Sequence, residues 1–318
     1  MRRSRLLLAA GLAGGAVLAK RSVDHRIAGW DTNPDTCDGD PSTLPDGTNV
    51  SVEAADGATL RGLDCGEGPT VLLIHCWTGD ITFWAPVARR LVDAGFRVVS
   101  VNQRGHGDSE RGSSPYSPET LGDDVRCWIE QLDLRDAVLA GHSMGGLASM
   151  AFVTDHHDVA HERLRGLVLV ATLASPSKDP RLPDFELDRS KGLPLAHAVL
   201  SRPPYGLLAL GSVFGTRPAR SQLEATAAGF VNTDPVVRAE ALQMMSDFDL
   251  RPALAGIELP TTVVAGSHDQ LTFLATNEEV ADSIPGARLE VLPGVGHMLP
   301  WEAPDQVTDA IVQAAKPA

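Results

Sequence analysis

The chain has 318 residues, 43% apolar and 21% charged, with a formal net charge of −14. That length buries an ample core in one large domain or two small ones. The acidic balance excludes a nucleic-acid partner, because binding to phosphates is driven by counterion release to cationic side chains.

Arg2, Arg3 and Arg5 precede an apolar run from Leu6 to Ala19 that ends at Lys20-Arg21. Such a segment has signal-peptide length and is short for a membrane span. The paired arginines loosely resemble a twin-arginine export signal. Residues 1–29 are therefore expected to be a signal peptide, with Val17-Leu18-Ala19 as its cleavage site, or an uncleaved membrane anchor. A buried helix of the fold is the third reading. The first two make the protein exported or membrane-associated rather than cytoplasmic, and the anchor implies membrane association through this segment.

Residues 30–48, rich in Asp, Pro, Gly, Asn and Thr, read as an irregular linker or arm. Cys37 and Cys65 both lie in the N-terminal, loop-rich part of the chain and could pair if it is exported. Cys76 and Cys127 read as small buried groups.

From residue 49 to 318 the pattern is that of one α/β domain. Asn49–Glu53 and Thr59–Leu63 flank Asp56-Gly57, a hairpin signal. Apolar, β-branched runs then alternate with amphipathic segments, as a parallel sheet with crossover helices demands. The strands are expected at Thr70–Ile74, Arg97–Val101, Ala137–Ala140, Leu164–Ala171, Pro260–Ala265 and Arg288–Leu292. Helices are expected at Ile81–Ala94, Pro118–Gln131, Met144–Asp155, Thr272–Ser283 and Pro304–Ala314. Between about Ser175 and Leu250 the alternation stops. Prolines 176, 180, 183, 203 and 204 and helix-like pieces at Leu193–Leu200 and Gln222–Val231 point to a mostly helical insertion over the sheet's carboxyl edge. Its apolar segment Tyr205–Leu210 either lines a pocket or packs the insertion down.

The chemistry centres on Gly141-His142-Ser143-Met144-Gly145. In G-x-S-x-G the serine occupies a sharp strand-to-helix turn that lifts its hydroxyl clear of the sheet. A serine hydroxyl needs a base, and the base needs an orienting group. Asp269 follows the strand-like run TTVVAG, and His297 follows RLEVLPG. Both positions fall on the carboxyl edge of a parallel sheet, where ligands bind. The order Ser, Asp, His is that of elbow-type hydrolases. Oxyanion donors are expected at the Met144 amide and in the loop His75–Asp80, at the Trp77 amide.

Other histidines and carboxylates compete for these roles. His142 should point away from the hydroxyl and brace neighbouring loops, and His268 replaces His297 only with unusual loop geometry. His156, His157 and His161 lack the H-E-x-x-H spacing and read as a solvated helix end. Asp123 and Asp124 read as first-turn carboxylates of a helix.

The blocks LLIHCWTGD, NQRGHGDS, GHSMGG and GSHD…GVGHMLPWEAPDQV, spread from Val50 to the C-terminus, resemble the α/β-hydrolase fold superfamily. GHSMGG is similar to the elbow of many of its esterases and monoacylglycerol-lipase-like enzymes, and to that of cofactor-free peroxidases. The resemblance implies a mostly parallel sheet flanked by helices, with the insertion at about 175–250 as a cap. It also implies Ser143 as nucleophile, His297 as base, Asp269 as orienting acid, and the Trp77 and Met144 amides as oxyanion donors. Arg104 and His106 become scaffold. Two departures concern the oxyanion loop: Cys76 stands where glycine is usual, and Thr78 where proline is common. Asn102 replaces a frequent aspartate.

The activity expected is serine hydrolysis of a small-molecule carboxylic ester with an apolar, lipid-like group. It requires no metal and no organic cofactor. The alternatives are a cofactor-free peroxidase or a carbon–carbon or amide hydrolase using the same triad, or a non-catalytic, surface-tethered ligand-binding protein.

Overall fold

The computed structural model describes residues 27–176, 194, 197–200, 202 and 205–316. The leader up to residue 26, part of the Leu193–Leu200 piece, and the prolines at 180, 183, 203 and 204 lie outside the described residues. Among the described residues, no helix is long and apolar enough to cross a membrane.

The expected hairpin is β1 (Gly47–Glu53) and β2 (Thr59–Cys65), paired antiparallel. Then come β3 (Thr70–Ile74), β4 (Arg97–Val101), β5 (Ala137–His142), β6 (Leu164–Val170), β7 (Thr261–Gly266) and β8 (Arg288–Leu292). They form one sheet in the order β1-β2-β4-β3-β5-β6-β7-β8, parallel from β4 onward. β5 and β7 are buried along their whole length, which is why they read as continuous apolar runs.

Successive strand side chains point to opposite faces, so one strand feeds two cores. Leu72, Ile74, Leu139, Leu167 and Val263 pack beneath α2 (Pro118–Gln131), α3 (Met144–Asp155) and α9 (Leu274–Ser283). Val71, Leu73, Val138, Val168 and Val264 face α1 (Ala85–Asp93) and α11 (Pro304–Ala314) on the other side. The expected first helix is split: Asp80 caps a 3-10 turn at Ile81–Trp84 by accepting from the Thr82 amide at 2.8 Å, and α1 follows.

Short helices escaped the sequence pattern: α4 (His157–Arg163), α8 (Arg251–Leu254) and α10 (Leu299–Glu302). The His156–His161 segment is thus its own helix, with His156 Nε2 at 2.9 Å from Asp123 and the His157 and His161 rings stacked. Between β6 and β7 lie α5 (Tyr205–Leu210), α6 (Arg220–Asn232), α7 (Pro235–Met245) and α8. Asp234 caps the unexpected α7, accepting from the Val236 amide at 2.7 Å.

Residues 33–46 are irregular but firmly seated. Arg90 bridges Asp38 and Asp305 at 2.5 and 2.6 Å, and Arg89 donates to the Cys37 carbonyl. The Cys37–Cys65 pairing does not form. All four cysteines are free; Cys37 lies against the Trp301 carbonyl and Gln222, while Cys65 faces the Pro45 carbonyl.

Asp123 and Asp124 also depart from expectation, lying mid-helix in α2. Asp124 holds the fully buried Arg104 guanidinium through two bonds of 2.7 Å, with Asp56 adding a third at 3.2 Å. This ion pair ties α2 to the loop after β4 and makes Arg104 scaffold. Removing Asp124 leaves the buried guanidinium only the longer Asp56 contact, so Asp124→Asn should cost about 3 kcal/mol in urea unfolding at pH 7.

Candidate active site

Ser143 joins β5 to α3 with φ 53°, a left-handed conformation rare for a side chain with a β-carbon. Its amide donates to the Val170 carbonyl at 3.0 Å, and its carbonyl accepts from Thr172 Oγ1 at 2.8 Å. The flanking glycines are steric necessities. A β-carbon at Gly141 would overlap the Gly145 carbonyl, and one at Gly145 would overlap that of Ile74. Met144 is the first residue of α3, so its amide is one of the first-turn donors without an intrahelical acceptor.

Asp269 and His297 are brought into direct contact. His297 Nδ1 donates to Asp269 Oδ2 at 2.8 Å, which leaves Nε2 as the basic nitrogen. The other carboxylate bonds come from Thr272 Oγ1 at 2.6 Å and the amides of Leu271 and Thr272 at 2.7 and 2.9 Å. Burial pushes the Asp269 carboxyl up, but His297 and these donors outweigh it and hold it below the usual carboxylate range. His268 is turned away, its ring exposed and bonded to Ser267 Oγ.

Ser143 is tied to this pair through its neighbour. His142 is fully buried, its Nε2 donates to the His297 carbonyl at 2.7 Å, and the two rings lie 4.8 Å apart. Burial, with His297 alongside, keeps His142 neutral. Phe83 packs on the same ring at 4.8 Å.

The loop after β3 closes with the Gly79 amide on the Cys76 carbonyl at 3.1 Å. Cys76 fits where glycine was expected because its side chain enters the core under α1, where burial pushes the thiol up to about 12. Thr78 takes φ 60°, and its amide donates to His106 Nε2 at 3.3 Å. His75 Nε2 accepts from the Gln103 amide at 3.0 Å. Asn102 adds bonds to the Ile81 amide and Asp108. Trp77 carries the loop's contact with the insertion: its Nε1 donates to the Arg238 carbonyl at 3.3 Å, and its ring meets Phe230 edge-on at 5.8 Å.

Thr272 and Glu302 escaped the sequence reading. Thr272 follows Asp269 by three residues, a spacing at which a hydroxyl can reach back to the carboxylate. Glu302 stands inside the block GVGHMLPWEAPDQV, but nothing in its spacing says which amides it would meet.

Burial holds His75 down to about 4 and His106 to about 3, so both fold uncharged. The unfolded chain protonates histidine near 6.5, so this stability is intact above that pH and is lost as pH falls toward 4 and then 3. Unfolding free energy should therefore drop between pH 7 and 4.5 by about 2–3 kcal/mol per histidine. In His106→Gln the drop should shrink by that amount, as read from urea titrations at the two pH values.

The sequence profile of the alpha/beta hydrolase fold family matches residues 69–304. The putative carbamate hydrolase RutD of Caulobacter sp. (strain K31) is 30% identical over 259 residues, covering 80% of this chain and 92% of that protein. The non-heme chloroperoxidase CPO-A1 of Kitasatospora aureofaciens is also 30% identical, over 76% of this chain and 90% of its own. Among solved structures, the enol-lactonase from Burkholderia xenovorans LB400 superposes with a TM-score of 0.67 at 27% identity, covering 83% of this chain and 99% of that one. An esterase from Exiguobacterium antarcticum shares the fold with a TM-score of 0.74 at 23% identity, covering 85% and 100%. With a match across most of its length and this sheet order, the chain belongs to the alpha/beta hydrolase fold family.

Proposed function

We propose that the protein is a serine hydrolase of carboxylic esters with an apolar acyl or alcohol group. The observation that carries the reading is the Asp269–His297 hydrogen bond, with His297 locked through His142 to the strained turn that bears Ser143. The Ser143 hydroxyl attacks the ester carbonyl while His297 Nε2 takes its proton. The Met144 and Trp77 amides hold the oxyanion as the tetrahedral adduct forms. His297 then passes the proton to the leaving alkoxide, leaving an acyl-serine. Water, deprotonated by the same imidazole, releases the acid and regenerates Ser143. Asp269 keeps the proton on Nδ1 throughout. The preference for an apolar group is supported by Trp77 and Phe230, whose rings meet beside the oxyanion loop.

The chloroperoxidase relative favours a second outcome on the same residues, in which hydrogen peroxide replaces water at the acyl-serine and a peracid leaves. Adding peroxide to the ester assay and titrating peracid separates the two.

Ser143→Ala should lower turnover of p-nitrophenyl esters by about 10⁴–10⁶-fold and end labelling by a fluorophosphonate, with the fold intact by circular dichroism. Labelling that persists at another serine overturns the assignment. Asp269→Asn should lower kcat by about 10³–10⁴-fold, because the amide no longer selects the productive imidazole tautomer.

A further inference from the structure

The backbone of the His297 loop is gripped both by distant partners and by a side chain a few residues further on. The His297 amide donates to the Val213 carbonyl at 2.8 Å, and its carbonyl accepts from His142. The amides on either side, Gly296 and Met298, both donate to the Glu302 carboxylate at 3.1 Å. That carboxylate also accepts from the Gly215 amide at 2.6 Å, and Thr216 donates to the Gly294 carbonyl at 3.0 Å. One side chain therefore holds three amides, two beside the imidazole and one in the insertion. The two backbones are pressed together with no side chain between them: a β-carbon at Gly215 would overlap the Gly294 carbonyl, and one at Gly296 would overlap Phe214.

Among the described residues, three titratable groups face His297. Asp269 comes from the loop after β7, His142 from the end of β5, and Glu302 from α10. Thr272 is neutral, and residues 213–216 offer backbone only. Burial raises the Glu302 carboxyl, the three amides and His297 pull it back, and it remains above the ordinary range. Both of its oxygens accept from backbone amides, the pattern of an ionised carboxylate, so a second negative charge stands near the imidazole.

We infer that Glu302 is a positioning residue for His297. Its carboxylate sets the loop that carries the imidazole, latches the insertion to that loop at Gly215, and stabilises the imidazolium formed when Ser143 loses its proton. This rests on the serine-hydrolase reading, and the test separates the two.

The full chain is assayed with p-nitrophenyl butyrate as wild type, Ser143→Ala, Glu302→Gln and Glu302→Asp. The glutamine keeps the shape but turns an N–H₂ group toward amides that need an acceptor. The aspartate keeps the charge but is one methylene short. Both should fold, with kcat lower by about 10–100-fold and KM within about threefold of wild type. The acid limb of kcat/KM should move to lower pH in Glu302→Gln alone, since only that change removes negative charge near the imidazole. A folded Glu302→Gln with wild-type kcat, or an acid limb that stays put in it, overturns the inference. If the glutamine variant does not fold, wild-type kcat in Glu302→Asp overturns it equally. A live Ser143→Ala would instead sink the hydrolase reading.

Discussion

The left-handed backbone at Ser143 is the constraint around which the sheet is arranged. Holding a residue with a β-carbon in that region costs on the order of 1–3 kcal/mol, and it persists only where the surroundings over-determine it. Here they do so from three directions. β6 supplies the Val170 carbonyl and leads to the Thr172 hydroxyl. β3 presses the Ile74 carbonyl against Gly145, and α3 returns its Gly145 carbonyl over Gly141. The buried strands on either side are thus what keeps one hydroxyl at the sheet's edge.

The carboxyl edge is stabilised by polar side chains that work because they are uncharged. His75, His106 and His142 are each buried, and each presents a neutral ring nitrogen to a backbone partner on a neighbouring loop. Of these and His297, only His297 meets a carboxylate. What sets the proposed base apart from the other three is therefore its partner, since burial is common to all of them. A neutral imidazole can both accept and donate, which suits it to bridging loops in a dry environment.

The arm and the insertion close the same region from outside. Gln222 of α6 donates to the Trp301 carbonyl, and the Thr36 hydroxyl donates to the same oxygen. Arm, insertion and the short helix after His297 thus converge on one backbone carbonyl. The arm's composition speaks only of irregular backbone, yet Trp30 and Cys37 are buried in it. Irregular sequence does not imply a loose tether when its few apolar side chains find a groove.

Local chemistry was enough to read the strands of the sheet, because continuous apolar, β-branched runs are properties of neighbouring residues. Thr70–Ile74, Arg97–Val101 and Arg288–Leu292 fall where the pattern puts them, as do Pro118–Gln131 and Met144–Asp155. The G-x-S-x-G turn was legible for the same reason: its glycines answer a clash set by adjacent strand and helix. The short helices α4, α8 and α10 were not, since four to seven residues make too few turns to display a period. Nor did sequence reveal that Asp124 would neutralise Arg104, that Cys37 and Cys65 would find separate partners, or that Glu302 would gather three amides. Those facts depend on which distant backbones the sheet order brings together. Only the folded chain, by burying those groups side by side, could choose among the partners that composition left open.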